Sequence, residues 1–200
     1  MSIELESPRS GRTPPAGDSL IVVKFGGAAL ATLSRVRAAA ARVRSLRDAG
    51  HTLVAEGPYG CASLRELRPG RVEQLLARGV VPVVPGFQGI RADGELVTLG
   101  RGGSDVTAVF LASELNAREC HLVKDVDGIY DRDPAVVAEA SRFDYLSFDG
   151  LVKLTAGGAR VVHSDAALRA KQDTVLLRVY RYDAAFAGPR GTRVGAEVVS

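Results

Sequence analysis

Cysteine is scarce in this chain: Cys61 and Cys120 are the only two, far apart and outside any Cys-x-x-Cys pair. A disulfide framework is therefore excluded, and a reduced, cytoplasmic setting is the simplest expectation. The three histidines, His51, His121 and His163, are scattered and form no His-Glu-x-x-His pattern, so no protein-bound zinc is expected. Tryptophan is absent and aromatics make up 6%. The basic residues are spread over helices rather than gathered with aromatics, which argues against a nucleic-acid partner. No apolar run approaches the ~20 residues of a membrane span, so no membrane role is expected. The acidic, polar start MSIELESPRS lacks the basic and apolar segments of a secretory signal. Lysine is also rare. Of 26 basic residues only Lys24, Lys124, Lys153 and Lys171 are lysine, and a lysine kept in an arginine-rich background is a better functional candidate than usual.

What is present is ordinary for a folded domain. Two hundred residues with 46% hydrophobic and 24% charged content suffice for one core without a staple. The net charge of +3 reads as a solvated surface. Residues 1–18, rich in Pro, Gly, Ser and charge, are expected to be a disordered leader, with one domain over 19–200. Within it, strands are expected at Leu20–Phe25, Thr52–Ala55, Val80–Val84, Leu96–Leu99, Glu119–Lys124 and Val175–Val179. Helices are expected over Leu33–Asp48, Arg71–Ala77, Asp105–Asn116, Ser147–Ala156 and around Ala159–Lys171. In the first of these, Leu33, Val36, Ala40, Val43 and Arg47 form one face at 3,4,3,4 spacing. Pro82 places the Val80–Val84 strand near an edge or bulge. Alternating strands and helices predict a layered α/β domain with a largely parallel sheet.

Three glycine-bearing turns follow predicted strands: Lys24-Phe25-Gly26-Gly27, Gly100-Arg101-Gly102-Gly103-Ser104-Asp105 and Lys124-Asp125-Val126-Asp127-Gly128. Without a Cβ, glycine lets backbone N–H groups approach an anion. The second turn opens directly into a helix, whose N-terminus favours phosphate. Lys24 adds a point charge at the end of the first strand. Any one of these turns alone is an ordinary strand-to-helix connection. No G-x-x-x-x-G-K-[ST] occurs, and position 105 is Asp where G-x-G-x-x-G needs its last glycine. Asp125, Asp127 and Asp133 lack the spacing of a calcium loop. No metal ligand set is expected from the protein.

The motifs VVKFGG, TLGRGGSD, KDVDGIYDRDP, FDGLVKLTAGGARVVHSDA and LLRVYRY…GPRGTRVG occur in this order. Together they resemble the catalytic domain of aspartokinase, in the amino-acid kinase family, over most of residues 20–195. The resemblance implies a three-layer α/β/α sandwich, Mg-ATP as the phosphoryl donor and a carboxylate as the acceptor. By the same resemblance Lys24 neutralises the transferring group, and Gly26, Gly27, Gly102 and Gly103 cradle phosphates. Asp105 orients the active-site lysines. Asp125, Asp127, Tyr130 and Asp133 lie on the nucleotide-binding stretch, while Arg101 and Ser104 face the acceptor.

The departures bear on function. The family lysine of GAKV is Arg160 here, a wide planar fork in place of a compact ammonium. The arginine of DPR is Ala135, with Arg132 beside it. Lys124 stands where threonine is usual and brings a new positive charge to the nucleotide border. Between HTLVAEG and RVEQLLARGVVPVV the family carries an acceptor-binding lobe with a glutamate for the substrate amino group. Several dozen of those residues are missing, leaving a shortened lobe. Glu56 and Glu66 are candidate replacements, with surface charge the plainer reading. No regulatory domain is expected after GTRVGAEVVS. The resulting expectation is an ATP-dependent phosphotransferase acting on a small carboxylate other than free aspartate. The alternative is an impaired nucleotide-binding or scaffold subunit. A homodimer or hetero-complex is expected through the surface the shortened lobe exposes.

Overall fold

The computed structural model describes residues 20–27, 30–37, 39, 52–56, 70–90, 96–99, 102–182 and 191–196. The expected leader over 1–18, Arg101, Glu66 and Cys61 lie outside these residues. Eight strands are described: β1 (Leu20–Phe25), β2 (Thr52–Glu56), β3 (Gln88–Ile90), β4 (Leu96–Thr98), β5 (Glu119–Lys124), β6 (Tyr145–Ser147), β7 (Leu177–Arg181) and β8 (Thr192–Gly195). With them go helices α1 (Gly70–Ala77), α2 (Gly103–Glu114), α3 (Phe148–Ala156) and α4 (Ser164–Gln172). The main sheet runs β2-β1-β5-β7-β8-β6, parallel throughout except between β7 and β8, and β3 and β4 form a separate antiparallel pair.

The period of two along β1 and β5 sorts their side chains between two layers. Leu20, Val22, Cys120 and Leu122 join the larger core with Val109 of α2, Leu151 of α3 and Ala166 of α4. Ile21, Val23, Phe25, Val123 and Tyr180 face the other way, where Leu30, Ala39 and Val81 pack against them. The outcome is the α/β sandwich with a mostly parallel sheet that the sequence predicts. Helix α2 is buried from Asp105 through Ala112, so it reads as apolar almost all round, the pattern of a central helix. It is tied to α4 by Arg169, which lies over the Phe110 ring at 4.0 Å and pairs with Glu114 at 3.6 Å.

Three local expectations fail. Residues 80–84 form no strand; Val83 makes only an isolated bridge, and Pro82 has no N–H to give a ladder. Of the face expected for the first helix, Ala40, Val43 and Arg47 lie outside the described residues, and the two described members do not pack as expected. Leu33 and Val36 are 65% and 43% exposed, while Ala39 packs on the sheet and Arg35 lies 4.3 Å over the Tyr182 ring. A wide apolar arc is ambiguous when Arg can contribute its stem and stack on an aromatic. The helix expected from Ala159 begins at Ser164, because His163 is extended and caps it, accepting from the Asp165 amide at 3.2 Å.

Candidate functional site

Because β1 and β5 are parallel neighbours, Lys24 and Lys124 reach the same edge of the sheet on its helix-facing side. There they meet Asp105, in the first turn of α2. Lys24 Nζ lies 3.0 Å from Asp105 Oδ1, and Lys124 Nζ donates to Oδ1 and Oδ2 at 2.8 and 2.6 Å. The His163 amide donates to Oδ2 at 3.3 Å. Asp105 is 1% exposed and Lys24 4%. Burial alone would raise the Asp105 pKa, but the charges of Lys124 and Lys24 and their hydrogen bonds outweigh it and hold the carboxyl below its usual range. For Lys124, burial is the largest influence and lowers the pKa against the pull of Asp105, with Lys24 adding to the lowering.

The glycines of this edge have steric reasons. Gly102 caps α2 in the left-handed region, at φ 80°, and a Cβ there would stand 2.9 Å from the His163 ring. A Cβ on Gly103 would overlap Leu99. A Cβ on Gly26 would come within 3.1 Å of Lys24 Nζ, whereas Gly27 has open space. The Gly102 turn is braced from behind by Phe87, whose amide donates to Thr107 Oγ1 at 3.2 Å and whose carbonyl accepts from Leu99 at 2.7 Å. Ser104 is half-buried in the first turn of α2.

Next to this cluster lies a cavity of about 850 Å³ between the segment after β5 and the C-terminal end of α3. Lys124, Asp125, Tyr130, Asp133, Lys153 and Arg160 are among its lining residues. The chain after β5 is pinned by Thr192, whose Oγ1 accepts from the Ile129 amide at 2.7 Å and donates to the Phe143 carbonyl at 2.6 Å. Asp133 turns the chain by accepting from the Ala135 amide at 2.9 Å, an Asx turn before proline's neighbour. Asp127 is not part of the cavity wall. Its Oδ1 accepts from Tyr130 Oη at 2.7 Å, which raises the Tyr130 pKa and orients the ring.

The sequence thus brings Lys24, Gly26, Gly102, Gly103, Asp105 and Lys124 to one sheet edge, and Asp125, Tyr130, Asp133 and Arg160 to the adjoining cavity. Two participants escape sequence reading. His163 lies in the quoted motif run, but its scattered place among histidines hid its backbone contact to Asp105. Lys153, within the helix expected over Ser147–Ala156, is exposed yet lines the cavity, because α3 ends there.

A model of the amino acid kinase family matches residues 52–180. The chain belongs to that family. It is 41% identical over 127 residues to an aspartokinase of Thermus thermophilus, a match covering 64% of this chain and 31% of the relative. In structure it is similar to an aspartate kinase from Synechocystis, with TM-score 0.74 and 30% identity, over 91% of this chain and 40% of that one. A UMP kinase from Bacillus anthracis shares the fold, with TM-score 0.70 at 16% identity, over 90% of this chain and 97% of that one. The chain spans about a third of the length of the curated relatives it matches.

Proposed function

We propose that the chain is the nucleotide-binding part of an ATP-dependent phosphotransferase whose acceptor is a small carboxylate. One observation carries the reading: the Lys24–Asp105–Lys124 cluster, at two strand ends and a helix N-terminus, adjoins a cavity of nucleotide size. The residues fit Mg-ATP. The glycines at 26 and 102 stand where side chains would crowd Lys24 and His163. Among the described residues no group of three or more His, Cys, Asp or Glu side chains is placed to hold a metal. Mg²⁺ is therefore read as riding on the phosphates, its common mode. Bound ATP would supply the phosphoryl group. The chain's own part is positioning and charge: Lys24 neutralises the phosphate end, Asp105 fixes that ammonium, and the amides at Gly27, Gly102 and Gly103 approach the anion, while the Gly26 amide donates to the Val123 carbonyl at 3.4 Å. Asp125, Tyr130, Asp133 and Arg160 bound the nucleotide cavity, while Arg101 and Ser104 meet the acceptor.

The acceptor is the finer part of the proposal. The relatives include aspartokinases and lend no support to an acceptor other than free aspartate. A different acceptor is favoured by Arg160 and by the short stretch expected between β2 and α1, since orientation is worth ~7–11 kcal/mol of barrier. Hydroxylamine trapping with purified chain and Mg-ATP tests it, with aspartate set against other small carboxylates. The expected result is negligible aspartyl hydroxamate and measurable product from another acid. Robust aspartyl hydroxamate, abolished by Lys24→Ala, returns the acceptor to aspartate; absence of Mg-ATP binding in calorimetry overturns the whole reading. The same proposal places the protein in the cytoplasm and in a homodimer or hetero-complex. Val80 and Val83, 41% and 75% exposed after α1, support association. A strict monomer in light scattering, with no co-purifying partner, counts against it.

A further inference from the structure

Among the described residues Lys124 is the one that belongs both to the buried cluster and to the cavity wall. Two ammonium groups share the single buried carboxylate of Asp105, and the one further carboxylate acting on Lys124, that of Asp125, lies on the cavity wall rather than in the buried cluster. Two ammonium groups on one buried carboxylate are costly until a further anion meets them. The Lys124 ammonium has three N–H groups, and its contacts to Asp105 use two of them. The third is available to the cavity. Arg160 also lines the cavity, but it is exposed and is not among the groups that contact Asp105.

We propose that Lys124, rather than Arg160, is the second phosphate-binding cation of this site. It donates from the cavity wall to the phosphate end of the ligand, while Asp105 keeps it paired with Lys24. The inference rests on the nucleotide reading above for the identity of the ligand, but its electrostatics require only a polyphosphate. Lys124 offers the phosphate a compact ammonium, where Arg160 offers a wide planar fork.

The test is calorimetry of wild type, Lys124→Met and Arg160→Met with Mg-ATP, adenosine and inorganic tripolyphosphate. Lys124→Met is expected to weaken Mg-ATP and tripolyphosphate at least about tenfold, the scale of one charged hydrogen bond. Adenosine binding should stay within about twofold, and Arg160→Met should cost less than Lys124→Met for both phosphate ligands. Unchanged phosphate binding in Lys124→Met overturns the inference, as does an equal loss of adenosine, which would mark a merely structural role. Tripolyphosphate binding that depends on Lys124, without any binding of adenosine, would sustain the inference and overturn the nucleotide reading. Should Lys124→Met not fold, ¹³C-lysine NMR of the wild type decides, since the chain has four lysines. The Lys124 signal should titrate below the usual lysine range, and its midpoint should rise when tripolyphosphate is added. A midpoint that does not move overturns the inference.

Discussion

Asp105 shows how a single carboxylate organises charge at the residue scale. Buried with Lys24 and Lys124 on its two oxygens and the first turn of α2 behind it, it stays ionised and fixes both ammonium groups. Lys24→Ala is therefore expected to lower Mg-ATP affinity by at least about tenfold, with Lys171→Ala as the neutral comparison. Lys171 pairs with Asp149 at 2.6 Å on the surface, whereas Lys153 lines the cavity and is unsuitable as a control. Equal effects at 24 and 171 in calorimetry would remove Lys24 from the site. A second charged group lies on the opposite face of the sheet. Burial would raise the Glu119 pKa, but hydrogen bonds from His121 and Arg178, and the Arg178 charge, bring it from 4.5 to about 2. A carboxyl depressed on folding contributes stability above its unfolded pKa and loses it as pH falls through the folded one. Denaturation midpoints should fall between pH 4.5 and about 2 in the wild type. Glu119→Gln should flatten that fall and lower stability at neutral pH, by about 1–3 kcal/mol, because Arg178 is left half-buried without its anion.

Elements in this fold are held more by what covers them than by their own propensities. Helix α3 is capped by Ser147, whose Oγ accepts from the Gly150 amide at 3.1 Å, and it buries Leu151 completely. Leu151→Ala should lower unfolding free energy by about 2–5 kcal/mol in urea titration. Leu168→Ala on α4, where the side chain is 44% exposed, should stay within about 0.5 kcal/mol. Equal losses would mean that α3 does not pack as described. The strand expected over 80–84 fails for an element-level reason. A run of valines has β propensity, yet Pro82 withholds a donor, and β1 already has β2 and β5 as its two neighbours.

For the whole molecule, ligand binding and folding are linked. Mg-ATP at about 100 times its Kd should add roughly 2.7 kcal/mol to stability, and a thermal midpoint should rise by several degrees. The rise should vanish in Lys24→Ala, and its absence from the wild type would count against the nucleotide reading.

Local pattern in the sequence determined the strands at Leu20–Phe25 and Glu119–Lys124, the helices at α1, α2 and α3, and the glycine turns. Each depends on a side-chain period, on an unbroken apolar run, or on glycine between a strand and the next element, all written in neighbouring residues. The short strands β3, β6 and β8 carry too few residues for a period to show. Tertiary structure alone decided which carboxylate Lys24 and Lys124 would meet, and that α3 would carry Lys153 to the cavity. The meeting of Lys24 with Lys124 follows from parallel neighbours β1 and β5 bringing residues a hundred positions apart to one edge. Electrostatic pairing in a buried site depends on distance in space, which no spacing along the chain records.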